Sequence, residues 1–98
     1  LTNAVQIEAG YDFTCAVRSN QSAVCWGNNA NGRLGTGNTT SVQVPTAVTG
    51  ATTWSRISAG LNSTCGLSPD GSAHCFGYGI YGVVGDGAND DRHSPNVV

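Results

Sequence analysis

The sequence predicts an all-β protein made of two tandem four-stranded antiparallel units, residues 1–50 and 51–98. Three observations support this fold class. The chain aligns with itself without a gap after a shift of 50 residues. Short runs that alternate apolar and polar residues, the period of a half-buried strand, occur in both halves. No window shows the roughly 3.6-residue period of an amphipathic helix.

The self-comparison places matching residues on each other along the whole chain. Both cysteine pairs, a proline and five pairs of glycines coincide at the 50-residue offset. These ten of the fourteen glycines are therefore turn and strand-end positions of a repeat, and they do not indicate a flexible linker. A chance match would not keep so many turn residues in register, so we interpret the chain as two copies of one unit.

The alternation predicts the strands in order. In the first copy it predicts strands over residues 5–9, 13–17 and 22–26, and in the second over residues 56–59, 63–67 and 72–76. A glycine-rich stretch and a polar loop follow the third strand. Residues 45–48 are then the candidate for an outer fourth strand, because Pro45 is tolerated at a strand start or at a sheet edge.

The turn between the second and third strands predicts the register of the cysteines. If Cys65 faces Cys75, the hairpin loop is residues 69–71. Its proline presets the first turn dihedral, and Gly71 takes the left-handed position. The first copy has a weaker turn signal, because residues 19–21 end in a glutamine where glycine is preferred.

This register predicts two disulfides, Cys15–Cys25 and Cys65–Cys75. Directly opposed residues of an antiparallel pair have Cα atoms about 4.5–5.5 Å apart, within the range that a disulfide accepts. Four cysteines permit three connectivities, and the repeat selects this one. Each bond would contribute on the order of 2–3 kcal/mol. Neither pair has the close C-x2-C spacing of zinc ligands, and reduced cysteines that only pack are the alternative.

Three N-x-S/T sequons begin at Asn20, Asn38 and Asn62, and none has a proline in the middle. Together with paired cysteines and low charge, they favour an oxidising compartment. We therefore expect a secreted or cell-surface protein with N-glycans at these asparagines. The chain begins at Leu1 without a charged leader, so we expect a processed or trimmed segment.

Composition argues against several functional classes. Only 10% of the residues are charged, against about 25% in an ordinary soluble domain, and there are four arginines and no lysine. A nucleic-acid binder needs a basic stripe, and a membrane-spanning helix needs about 20 apolar residues; the sequence has neither. The G-x-S-x-G nucleophile motif is absent and Glu8 is the only glutamate, so we expect a non-enzymatic protein.

Two short motifs give weak signals for ligands. Residues 77–82 read G-x-G-x-x-G, but no helix follows to receive a pyrophosphate, so we expect tight turns and no cofactor. Residues 86–91 form an acidic cluster that could hold Ca²⁺; the equivalent residues 36–41 carry no carboxylate, which favours a solvated loop and no metal. Trp26 and Phe76 are equivalent and are predicted to pack between the units.

The repeat resembles the regulator-of-chromosome-condensation family. The most specific segment, W-G-x-N-x-x-G-x-L-G-x-G, covers residues 26–37. The second copy departs from it over residues 78–80 and at Val84, which stands where the first copy has leucine. The resemblance implies that each copy is one four-stranded blade of a β-propeller, a ring that about seven such repeats commonly close.

Two blades are too few for a ring of about 4–8. We therefore expect either a piece of a longer polypeptide or a protomer that assembles with copies of itself into a ring or filament. The function that we expect is a structural or interaction scaffold whose loops over residues 27–37 and 77–87 contact a protein partner. The alternatives are a secreted inhibitor or ligand-binding propeller and, as the resemblance implies for some members, a guanine-nucleotide exchange factor.

Overall fold

The computed structural model describes residues 2–49, 53–78 and 92–97, with side chains up to Tyr78. In these residues the only helical segment is one 3-10 turn, Ala30–Gly32, and no helix could cross a membrane. The all-β prediction is therefore confirmed. The strands are β1 (Ala4–Ala9), β2 (Phe13–Arg18), β3 (Ala23–Gly27), β4 (Val42–Ala47), β5 (Arg56–Ala59), β6 (Ser63–Leu67), β7 (Ala73–Gly77) and β8 (Arg92–Val97).

The strands form two antiparallel sheets in which each strand pairs with its neighbour in sequence. The orders are β1-β2-β3-β4 in the first sheet and β5-β6-β7-β8 in the second. This arrangement agrees with two tandem copies of one unit. The predicted boundary at residue 50 lies outside the described residues.

The fourth strand of the first sheet is longer than the sequence predicts. It begins at Val42, so that Pro45 lies inside it and not at its start. The pairing of β3 with β4 shifts register between Cys25 and Gly27. A proline inside a strand is tolerated here because β4 is an edge strand, which is missing a neighbour on one side.

The hairpin register is the one that the turn chemistry predicts. Cys15 lies opposite Cys25, and Cys65 lies opposite Cys75. Gly71 has a φ of 89°, and its N–H donates to the Ser68 carbonyl oxygen over 2.9 Å.

The first copy makes the same turn without the glycine. Gln21 takes a φ of 69°, and its N–H donates to the Arg18 carbonyl oxygen over 2.8 Å. The left-handed conformation costs an L-residue about 1–2 kcal/mol, so the first hairpin carries strain that the second lacks.

The hydrophobic core lies between the two sheets. Trp54 is its largest buried side chain and meets the Phe76 ring edge-on, with ring centroids 6.4 Å apart. Gly66 provides the space, because a Cβ there would lie 2.5 Å from Cζ3 of Trp54. The core residues are Phe13, Cys15, Val17, Ala23, Cys25, Leu34, Val48, Trp54, Ile57 and Phe76.

The two equivalent aromatic residues are in different environments. Phe76 is fully buried between the sheets, as predicted, whereas Trp26 is only half-buried and lies outside this core. Neighbouring residues of a strand point to opposite faces, and Cys25 points into the core. Trp26 therefore faces away from the second sheet and does not pack between these two units, and its packing against a further unit stays a prediction.

Candidate functional site

Three segments meet at one end of the two sheets, which we call the loop end: residues 10–12, 28–41 and 60–62. The Asn28 N–H donates to the Asp12 carbonyl oxygen over 3.1 Å, and the Tyr11 N–H donates to the Gly60 carbonyl oxygen over 3.2 Å. The loop end thus includes most of the contact loop predicted over residues 27–37. In the second predicted loop, residues 79–87 lie outside the described residues.

The loop end presents one large apolar side chain from each sheet. Tyr11 is 78% exposed and Leu61 is 62% exposed. They are equivalent residues, and both turns close with the same hydrogen bond. The Gly10 N–H donates to the Phe13 carbonyl oxygen, and the Gly60 N–H donates to the Ser63 carbonyl oxygen. Neither side chain is buried in the fold, so both are available to a partner.

Arg33 links the three segments of the loop end through its largely buried side chain. Its side chain is 9% exposed and forms a salt bridge with Asp12, Nη1 to Oδ1, over 2.9 Å. Its Nε donates to the Ala30 carbonyl oxygen over 2.8 Å, and Nη1 reaches the Leu61 carbonyl oxygen at 3.4 Å. The guanidinium carbon also lies 6.0 Å from the centre of the Phe13 ring. Both turns are thereby fixed to the same side chain.

Asn29 organises the long loop from within. It is fully buried, and its Oδ1 accepts the Leu34 N–H over 2.9 Å. Its Nδ2 donates to the carbonyl oxygens of Asn38 and Thr40, both over 3.0 Å. In the sequence, Asn29 is visible only as the asparagine of the W-G-x-N motif. The oxygen and the nitrogen of this buried side-chain amide are both hydrogen-bonded. Such a network holds the loop in one conformation, so the loop presents a fixed surface.

The three sequon asparagines lie in different places. Asn20 is exposed at the β2–β3 turn, at the opposite end from Tyr11, and its Oδ1 accepts the Ser22 N–H over 3.0 Å. Asn38 is exposed in the long loop, where its Oδ1 accepts the Thr40 N–H over 3.0 Å. Asn62 is half-buried at the loop end. Glycosylation at these residues stays a prediction.

Both predicted disulfides are formed, which sets aside zinc ligation and free thiols for these four cysteines. In each bond the Cα atoms are 4.1 Å apart. Cys15 and Cys25 are fully buried, whereas Cys75 is 5% exposed and Cys65 is half-buried. Cys65 lines an open groove of about 280 Å³ between the edge strand β1 and the second sheet, with Glu8, Arg56 and Leu67.

A serine, a histidine and an aspartate meet near the β6–β7 turn without forming a catalytic triad. The Ser68 hydroxyl donates to Oδ1 of Asp70 over 2.8 Å and lies 3.5 Å from Nε2 of His74. A triad needs the histidine between the nucleophile and the carboxylate. The Ser72 N–H and the Ser68 hydroxyl lower the pKa of Asp70, which caps the turn.

The part of the chain that the structure describes has no cluster of side chains suited to a metal ion. The acidic residues 86–91 lie outside that part, so the solvated loop and the calcium site both stay predictions.

Comparison with known proteins gives both sequence and fold matches. Two models of the Regulator of chromosome condensation (RCC1) repeat match residues 4–33 and 25–67. Yeast RCC1 (Prp20), solved bound to Kap60, is 19% identical with a TM-score of 0.88, over 100% of this chain and 25% of that one. A structure of Prp20p from Saccharomyces cerevisiae, described with its binding to Gsp1p and histones, is 20% identical with a TM-score of 0.88.

The match to Prp20p covers 100% of this chain and 26% of Prp20p. Human WBSCR16 is 24% identical with a TM-score of 0.86, over 97% of this chain and 26% of that protein. At these identities the likeness shows the β-propeller fold alone, and this chain spans about a quarter of the length of the solved proteins. The repeat matches and the sheet topology agree, and the chain belongs to the RCC1 repeat family.

Proposed function

We propose that this chain is a non-enzymatic interaction scaffold: two neighbouring propeller blades that bind a protein partner through their loop end. The observation that carries the proposal is the exposure of Tyr11 and Leu61, 78% and 62%, at equivalent turns. Large aromatic and apolar side chains at the centre of a contact supply much of the energy of a protein interface, and tyrosine is enriched among such residues.

The support beneath these two side chains favours binding. Arg33 bonds to the Asp12 carboxylate and to the Leu61 carbonyl oxygen, so the turns that carry Tyr11 and Leu61 are fixed before any partner arrives. A preorganised surface loses less conformational freedom on binding than a mobile loop does. At the opposite end, the hairpin tips carry the polar side chains Asn20 and Asp70.

Further blades are part of the proposal, because equivalent residues differ in burial. Ile57 is 2% exposed between the sheets, whereas Ile7 is 60% exposed on the outer face of the first sheet. In the same way, Val17 is 1% exposed and Leu67 is 41% exposed on the outer face of the second sheet. A repeat buries its faces against its neighbours, so further repeats would cover both outer faces.

We place the protein outside the cell, as a secreted or cell-surface glycoprotein. Paired cysteines and sequons support this proposal. Asn20 and Asn38 are exposed enough to carry a glycan without a clash with the fold; Asn20 lies at the opposite end from the proposed surface, whereas Asn38 lies within the loop end. A glycan at Asn62 would stand next to Leu61 and would compete with the partner, so glycosylation there and binding at the loop end exclude each other.

Differential capture tests the interaction surface. The chain is immobilised as wild type, as the double variant Tyr11→Ser/Leu61→Ser, and as Val44→Ser, which alters an equally exposed apolar residue (66%) on β4. Proteins of extracellular fluid that wild type and Val44→Ser retain are expected to fall at least about tenfold with the double variant, a loss of about 1.4 kcal/mol or more. Equal retention by all three chains, with circular dichroism showing the same fold, would rule out the loop end.

The mass of the secreted protein under non-reducing conditions tests the location. We expect two disulfides and added hexose. Four free thiols without hexose would contradict an extracellular origin. The exchange-factor alternative is supported only by the fold likeness to Prp20p, whose structure is described with its binding to Gsp1p; it requires binding to a small GTPase.

A further inference from the structure

The two disulfides are chemically alike but differ in their access to solvent. Both close hairpins with the same sequence separation, 10 residues, and both join directly opposed residues. Cys15 and Cys25 are 0% exposed, in the core that Trp54 completes from the second sheet. Cys65 is half-buried and lines an open groove that the second sheet forms together with Gln6 and Glu8 of β1.

We propose that Cys65–Cys75 is a site of thiol–disulfide exchange with a dithiol, whereas Cys15–Cys25 is a permanent structural bond. Exchange requires a thiolate to reach one sulfur of the disulfide, so access decides between two bonds of similar chemistry. In the described part of the chain, the second bond meets this condition and the first does not.

The groove suits such a reaction. Its volume is about 280 Å³, many times the roughly 10–15 Å³ that a cavity needs to hold one water molecule. Arg56 and Glu8 both line it, one charge of each sign, so these two residues set up no net repulsion against an approaching thiolate. Leu67 stands on the same strand as Cys65, two residues further along and on the same face.

The reaction balances with a dithiol as the only co-reactant. One thiolate attacks Sγ of Cys65, the bond between the two cysteine sulfurs breaks, and Cys75 leaves as a thiolate. The second thiolate of the reagent then attacks the mixed disulfide and releases Cys65. The protein gains two electrons and two protons, and the dithiol becomes a disulfide.

The consequence of the exchange rests on the proposed function. The face that holds Cys65–Cys75 is the one on which a following repeat would pack. Packing would seal the bond as the second sheet now seals Cys15–Cys25, and reduction before packing would loosen the β6–β7 hairpin that forms the docking face. The open disulfide would thus be sensitive to thiols until the next blade covers it.

Graded reduction tests the site in this chain alone. The protein is treated with dithiothreitol, quenched by alkylation at intervals, and digested, and each cysteine pair is followed by mass spectrometry. We expect Cys65–Cys75 to open at least about tenfold faster than Cys15–Cys25 in the folded chain, and at a similar rate in concentrated guanidinium. Equal rates in the folded chain, or faster opening of Cys15–Cys25, would overturn the proposal.

A pair of variants tests the route through the groove. Leu67→Trp places a larger side chain beside Cys65 and is expected to slow the opening of Cys65–Cys75 several-fold, whereas Val44→Trp, on the first sheet, leaves it unchanged. If both variants react like wild type, the thiol does not enter through the groove and the proposal fails.

Joining a further repeat to the carboxyl side separates this inference from the proposed function. Loss of the rate difference in the longer chain supports the sealing of the bond. If the difference persists there, the exchange site stands and the docking of a further repeat on this face is refuted.

Discussion

The two sheets pack on each other through their inner faces, which we call the joint, and each inner face has an equivalent outer face in the other copy. The equivalent positions differ in chemistry. Trp54 fills the joint, and its equivalent in the first copy is Ala4. Phe13 is buried on the inner face of the first sheet, and its equivalent is Ser63. The joint thus uses two large side chains that the outer faces do not offer.

The hydrogen bonds at the joint show the same difference. Nε2 of Gln6 donates to the Ile57 carbonyl oxygen over 2.7 Å, and Oε1 accepts the Ile57 N–H over 2.8 Å. The amide therefore satisfies the edge strand as another strand would. The equivalent residue on the second sheet is Arg56. Its guanidinium carries only N–H donors, so it cannot accept a backbone N–H as Oε1 of Gln6 does. A second copy stacked head to tail would not reproduce this joint, so the difference favours a dissimilar repeat as the neighbour.

The largest expected effect comes from emptying the joint. Trp54→Ala should cost about 3–5 kcal/mol of unfolding free energy, because removal of the fully buried indole leaves a cavity. Trp26→Ala, the other tryptophan, should cost less, since its side chain is only half-buried. Urea denaturation followed by far-ultraviolet circular dichroism measures both. Equal losses would mean that the joint is no better packed than an outer face.

Removing the Gln6 amide comes next. Gln6→Ala leaves the Ile57 N–H and carbonyl oxygen without their partners and should cost about 1–3 kcal/mol. The matched variant Arg56→Ala, at the exposed equivalent position, should stay within about 0.5 kcal/mol of wild type. The same denaturation curves report both values, and a larger effect of Arg56→Ala would reverse the assignment of inner and outer positions.

The two hairpin turns provide a smaller comparison. Gln21→Gly should stabilise the protein by up to about 1 kcal/mol, because glycine adopts the left-handed conformation without a clash. Gly71→Ala should cost about 1 kcal/mol; an added Cβ meets nothing within 4 Å, so the whole cost is backbone conformation. Thermal unfolding shows the signs, and a destabilised Gln21→Gly chain would contradict the strain assigned to the first turn.

The smallest effect concerns Asp70, which has no charged counterpart at the first turn. Hydrogen bonds from Ser72 and Ser68 lower the pKa of this exposed carboxyl below its ordinary value. A lowered folded pKa contributes stability above the unfolded pKa, and this contribution is lost as the pH falls through the folded pKa. Asp70→Asn should therefore flatten the decline in stability below about pH 4. An unchanged acid profile would show that the cap adds nothing.

The features that the sequence predicted are those that depend on residues close together in the chain. The hairpin registers follow from turns of a few residues, and with them the pairing of Cys15 with Cys25 and of Cys65 with Cys75. The sequence predicts the start of β4 at Pro45, whereas the strand begins at Val42, because an edge strand accepts a proline within it.

Burial was harder to predict, because it depends on the neighbouring sheet. The repeat does not predict the burial of Trp54, because the equivalent residue in the first copy is Ala4. The long loop of the candidate site was predicted, but Tyr11 and Leu61 were not. A signal was present: both stand directly after a matched glycine, Gly10 or Gly60, where a turn would ordinarily be polar.

The anchoring of the long loop has a consequence for how the chain folds. Leu34 is fully buried in the core shared with the second sheet, a Cβ at Gly35 would lie 2.7 Å from the Phe76 ring, and the buried Thr64 hydroxyl donates to the Arg33 carbonyl oxygen. The first blade therefore bonds its own loop through Asn29 but depends on the second blade for the packing around Leu34 and Gly35. As the chain leaves the ribosome, the amide protons of this loop should stay open to exchange until the second hairpin has formed.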